Sequence, residues 1–83
     1  MRALMYPVAT EKAVSMVDKL NTIMYVVDFR ASKQDIRKEF ESTFNVKVER
    51  INTVNMPSNT KKALIKLKQP YKASDIAIKL KLV

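Results

Sequence analysis

No cysteine, histidine, glycine or tryptophan occurs among the 83 residues, and each of the first three absences removes a class of function. Without cysteine there is no disulfide framework, thiolate metal site or thiol nucleophile, which suits a reducing cytoplasm. Without histidine the commonest general acid/base and metal ligand at neutral pH is missing, so catalysis would rest on eight carboxylates and some lysines. Without glycine no phosphate-cradling glycine loop can form, although average usage would place roughly six in a chain of this length. Turns must come from Pro7, Asn21, Asn45, the stretch from Asn55 to Asn59, and Pro70, because Asn tolerates left-handed backbone better than other side chains.

Long apolar runs are also lacking. The opening Met1-Arg2-Ala3-Leu4-Met5-Tyr6-Pro7 is too short for a signal peptide, and later runs fall well below the ~20 residues of a membrane span. The expectation is a soluble intracellular chain in which residues 1–83 form one domain with one modest core. No internal repeat, linker or low-complexity stretch divides it.

What is abundant is positive charge, unevenly placed. Of 16 Lys/Arg, seven lie in residues 1–46 beside six Asp/Glu, and nine lie in residues 47–83 beside only Glu49 and Asp75. Like charges crowded on a small surface repel one another, so such an excess answers to an anionic partner, nucleic acid first among them.

Ala3-Leu4-Met5-Tyr6 reads as a short strand stopped by Pro7. Thr10 is placed as an N-cap, with Glu11 in the first turn and Ala13, Met16, Val17 and Leu20 at helical spacing, which predicts a helix from Thr10 to Lys19. The run Ile23-Met24-Tyr25-Val26-Val27 within Thr22 to Phe29 is apolar on both faces, as in a central strand. Ser32 and Asp35 form a capping box ahead of Ile36, Phe40 and Phe44, a helix ending at Asn45, with Arg37, Lys38, Glu39 and Glu41 on a mixed solvated face.

Val46-Lys47-Val48-Glu49 alternates and then slips phase before Ile51, which predicts a bulge near Arg50. After a turn at Met56-Pro57-Ser58-Asn59, the stretch from Lys62 to Lys68 alternates again, with Ala63, Ile65 and Leu67 on one face and Lys62, Lys66 and Lys68 on the other. A last helix opens at Ala73 or Ser74, turning Ile76, Ala77 and Leu80 inward. The order is β-α-β-α-β-β-α, an α+β domain with helices covering a small sheet.

Lysines on alternate positions of a strand stand about 7 Å apart, close to the phosphate spacing of a nucleic-acid strand. Lys66 and Lys68 could each neutralise a phosphate, or simply guard a sheet edge. Asn52, Thr53 and Asn55 could bond to ribose hydroxyls or phosphates, or form an exposed polar strand end. Phe40 and Phe44 fall at core positions, Tyr25 and Phe29 share a face of the apolar strand, and only Tyr6 and Tyr71 sit beside prolines, so no base-stacking aromatic platform is indicated. Asp35, Glu39 and Glu41 on a solvated face, with Asp28 and Asp75 at strand end and cap, give no acid/base pair. No enzyme, metal or cofactor is expected.

The segment Pro7-Val8-Ala9-Thr10-Glu11-Lys12-Ala13, with Asn21-Thr22 before an apolar strand, resembles the opening of large-subunit ribosomal proteins of the L twenty-three family. So does Val48-Glu49-Arg50-Ile51-Asn52-Thr53 leading into Lys61-Lys62-Ala63, in order and at compatible spacing over nearly the whole chain. The resemblance implies a four-stranded, mainly antiparallel sheet that binds large-subunit ribosomal RNA beside the mouth of the polypeptide exit tunnel, packed among neighbouring ribosomal proteins in the cytoplasmic ribosome. It implies RNA contacts at Lys12, Asn52, Thr53, Lys61 and Lys62, which join Lys66 and Lys68 from the strand pattern, and a docking carboxylate for nascent-chain factors at Glu11.

Two departures qualify what the resemblance implies. The stretch from Asn55 to Lys61 leaves room for a short turn only, not the long tip that reaches into the tunnel in some relatives. The compact form resembles archaeal members, which points to signal recognition particle and a translocon as docking partners, without membrane insertion. The alternative is a free-standing basic module for an acidic protein or an anionic membrane surface.

Overall fold

A computed structural model describes residues 3–57 and 59–81. Its elements are β1 (Leu4–Pro7), α1 (Glu11–Leu20), β2 (Thr22–Asp28), α2 (Lys33–Phe44), β3 (Val48–Asn55), β4 (Thr60–Leu67) and α3 (Ala73–Lys79). The fold is α+β in the expected order, with one four-stranded antiparallel sheet in the order β1-β2-β4-β3. No helix among the described residues is long and apolar enough to cross a membrane.

Local chemistry sets most boundaries. Thr10 Oγ1 accepts from the Ala13 N–H at 3.2 Å and starts α1. Ser32 and Asp35 complete a reciprocal capping box at 3.1 Å in each direction and start α2. Asn21 (φ 52°) and Asn45 (φ 58°) end these helices in left-handed backbone, and Asn59 (φ 57°) does the same in the β3–β4 connection. Met56 N–H donates to Thr60 O at 2.9 Å across that connection; Ser58, part of the expected turn, lies outside the described residues. Pro7 does not stop β1 but is its last residue, opposite Tyr25, and the missing N–H does no harm because β1 is an edge strand. Strand β3 starts at Val48 rather than Val46, and β4 ends at Leu67, leaving Lys68 beyond it.

Two carboxylates carry an acid dependence. Backbone and side-chain hydrogen bonds from Ser32 hold the Asp35 pKa below its ordinary value, and the Arg30 guanidinium and N–H do the same for Asp28. A lowered folded-state pKa means stability present above the unfolded value of 3.8 and lost as pH falls through the lower folded value. Asp35→Asn is therefore less stable than the parent at pH 7, and the gap closes on acidification below pH 3.8. Urea unfolding across a pH series measures it; a gap unchanged at pH 2 to 3 would rule out the ionised capping box as its source.

Strand β2 is buried on both faces because it lies between β1 and β4 with helices above and below. On the inner side, Ile23 and Tyr25 lie opposite Ile65 and Ala63 of β4, Ile51 of β3 lies beyond Ile65, and these share one core cluster with Val27 and with Ile36 and Phe40 of α2. Phe40 meets Tyr25 edge-on with centroids 6.3 Å apart and leans on Phe44 at 4.7 Å. Ala73, Ile76 and Ala77 of α3 and Val17 of α1 extend the same core. Phe29 does not share the buried face of Tyr25: β2 ends at Asp28, and Phe29 is 51% exposed beneath the Arg30 guanidinium.

The outer face of α2 is not merely solvated, which corrects the expectation for Arg37, Glu39 and Glu41. The Glu39 carboxylate accepts from the N–H of Ala3 (2.8 Å) and of Leu4 (2.9 Å), at the outer edge of β1. Glu41 accepts from Val48 N–H at 2.8 Å while Arg37 donates to Val48 O at 3.2 Å, at the start of β3. Strand edges present unpaired backbone groups, and α2 satisfies several of them with side chains.

Asn21 performs a similar task at the other end. Its side-chain N–H groups donate to Leu67 O (3.2 Å) and Tyr71 O (3.0 Å), and its Oδ1 accepts from Ala73 N–H at 2.6 Å. One side chain thereby fastens the end of β4 and the entry to α3 to the corner between α1 and β2.

Candidate nucleic-acid interface

The side of the sheet away from Phe40 carries Met24 and Val26 of β2, Lys62, Leu64 and Lys66 of β4, and Arg50, Asn52 and Val54 of β3, as the pairing register requires. Helix α1 packs along β2 and shields Met24 and Val26, both buried outside the main core cluster. The β3–β4 hairpin extends past it. A groove results between α1 and the hairpin. Lys12, Met16, Met24, Val54, Lys62 and Leu64 line one end, and Met16, Leu20, Thr22, Arg50, Asn52, Leu64 and Lys66 line the other.

The floor is therefore apolar and the rim cationic. Four cations, Lys12, Arg50, Lys62 and Lys66, converge on it from three elements. Glu49 pairs with Lys66 at 3.6 Å, with both side chains well exposed, so it offsets Lys66 only weakly. No aromatic side chain lines the groove. Such a surface can neutralise successive phosphates and offer the Asn52 amide to sugar or phosphate oxygens, and it has no platform for stacking bases.

Of the sequence-selected residues, the fold brings Lys12, Asn52, Lys62 and Lys66 together. It separates Thr53 and Lys61 from them. Adjacent residues on a strand face opposite ways, so Thr53, opposite Ala63, and Lys61, opposite Val27, belong to the inner side. Lys61 Nζ donates to Ala31 O at 3.0 Å and pins the loop leading to α2. Lys68 is exposed just past β4, its N–H bonded to Lys47 O. Glu11 is exposed in the first turn of α1, one residue from Lys12.

Arg50 was not among the selected residues, yet it lines the groove. The register shifts between Val48 and Arg50, so the bulge inverts the alternation and puts Arg50 on the outer face in line with Asn52 and Val54. The phase slip in the sequence was the signal that could have found it. Three or more His, Cys, Asp or Glu side chains grouped to hold a metal ion do not occur among the described residues. A family model described as Ribosomal protein L23 matches residues 2–80.

Proposed function

Because the chain belongs to the ribosomal protein L23 family, structural constituents of the large ribosomal subunit, we propose that it binds large-subunit ribosomal RNA through the outer-face groove. The observation that carries this reading is the convergence of Lys12, Arg50, Lys62 and Lys66 on one apolar-floored groove with a single weakly paired carboxylate nearby. The contacts are to phosphate and sugar, with Asn52 supplying the polar bond and Lys68 reaching backbone from beyond the strand end. Thr53 and Lys61 act behind the interface, Lys61 by holding the loop at Ala31.

On this reading the chain sits beside the exit of the polypeptide tunnel, among neighbouring ribosomal proteins, as membership of the family implies. Exposed Glu11, next to groove-lining Lys12, is suited to dock a nascent-chain factor such as signal recognition particle or a translocon at the border of the RNA contact. The four residues between β3 and β4 form too short a tip to reach far into a tunnel. No step in this role is catalytic.

Binding of the purified protein to fragments of large-subunit ribosomal RNA over a salt series tests the reading. The logarithm of the affinity falls linearly with the logarithm of salt, with a slope of about −0.7 to −0.9 per phosphate neutralised. A flat response, or equal affinity for unrelated RNA, counts against it.

A further inference from the structure

The sheet has a second unsatisfied surface, its free β3 edge. Lys68 N–H donates to Lys47 O and Met56 N–H donates to Thr60 O. Between them run the pairs Arg50 with Lys66, Asn52 with Leu64 and Val54 with Lys62. Once the bulge is counted, these keep one hydrogen-bonding phase, so Arg50, Asn52 and Val54 bond toward β4. Ile51, Thr53 and Asn55 then aim their N–H and C=O groups away from the sheet. Three donors and three acceptors stand in a row roughly 14 Å long.

Elsewhere α2 covers exposed edge groups, with Glu39 on Ala3 and Leu4 and with Glu41 and Arg37 on Val48. Among the described residues nothing performs that service at Ile51, Thr53 or Asn55. The usual guards are missing as well. The segment from Ile51 to Asn55 has no charge and no proline, and Val54 is 53% exposed.

We propose that the β3 edge from Ile51 to Asn55 accepts an extended, acidic segment of a partner protein as a fifth strand. Backbone bonds would supply the register and side-chain charge the selectivity. The charge of the partner follows from the surroundings. Lys47 and Arg50 flank one end and Lys62 lies across from Val54, against the single carboxylate of Glu49, which leans toward Lys66 at 3.6 Å. A second copy of this chain would set +8 against +8 and bring like charges together along the same edge. Alternate side chains of the partner strand fall beside Arg50, Asn52 and Val54, on the face that also carries Lys62, which favours acids at those alternate positions.

The probe is a synthetic peptide alternating glutamate with valine, titrated into the full-length labelled protein while amide hydrogen exchange is read residue by residue. At saturation the Ile51, Thr53 and Asn55 amides gain at least about tenfold protection, whereas the Asn52 and Val54 amides, already bonded to β4, change little. A peptide of the same sequence with alternate backbone N-methyl groups loses at least about tenfold in affinity. Equal binding by the methylated peptide makes the contact one of charge alone and overturns the proposal. So does protection of the three amides by an RNA hairpin with none from the peptide. The RNA reading stands or falls separately, on the salt response of the outer-face groove.

Discussion

Replacement of Asn21 by alanine is expected to cost the fold about 3–4 kcal/mol. That is a large share of the roughly 4–12 kcal/mol typical for a chain of this size. The amide makes three bonds, to Leu67 O, Tyr71 O and Ala73 N–H, and each loss leaves a backbone group without its partner, at about 1 kcal/mol apiece. The left-handed backbone at φ 52° adds a steric cost of about 1 kcal/mol for a residue with a Cβ and no polar side chain to compensate. Asn21→Gly separates the two contributions, since it loses the bonds and keeps the backbone freedom; it should cost about 2–3 kcal/mol. Denaturant unfolding measures both. If alanine costs under about 1 kcal/mol, the amide is not a clasp and the 67–73 segment is held by its apolar contacts.

Removing the four rim cations together, as Lys12→Ala, Arg50→Ala, Lys62→Ala and Lys66→Ala, should make the salt slope of ribosomal RNA binding shallower by about 3. Electrostatic contributions fade toward about 1 M salt, so a slope change of that size corresponds to about a thousandfold weaker binding at about 0.1 M. All four side chains lie at the solvent-facing rim, where substitutions usually change stability by under about 0.5 kcal/mol each. Together they cost at most about 2 kcal/mol, so the quadruple variant should remain folded at the temperature of the binding measurement, which its thermal midpoint checks. Lys61→Ala is the informative control. It removes one more positive charge from the same strand, yet it should leave the slope unchanged and weaken the fold by releasing Ala31 O. If Lys61→Ala flattens the slope as much as Lys62→Ala does, the outer-face assignment is wrong.

How far the sequence could be read divides along a physical line. Thr10, the Ser32–Asp35 box, the left-handed Asn21 and Asn45 and the slip near Arg50 were visible because each depends on residues within a few positions. The element order was expected from the alternating and helical runs and the four-stranded, mainly antiparallel sheet from the family resemblance, and the fold has both. What escaped depends on partners far along the chain. Nothing near Asn21 foretells bonds to residues 46 to 52 positions away, and Glu39 reads as solvated until β1 returns 35 positions distant to meet it.

At the candidate site the dividing line is the pleat of the strand. Asn52-Thr53 and Lys61-Lys62 match a family motif as adjacent letters. A strand splits such pairs between its faces, so only one member of each reaches the groove. Arg50 reaches the groove only through the bulge that turns it outward. Carrying that half-period shift through the strand would have recovered it.

Left-handed asparagines at three chain reversals also change what the molecule must give up to fold. Glycine would fit Asn21, Asn45 and Asn59 without steric cost, but it would enlarge the ensemble of the unfolded polypeptide at every one of them. A glycine-free chain begins with a narrower range of backbone conformations to surrender. Part of its thermodynamic advantage therefore resides in the state that has no structure at all.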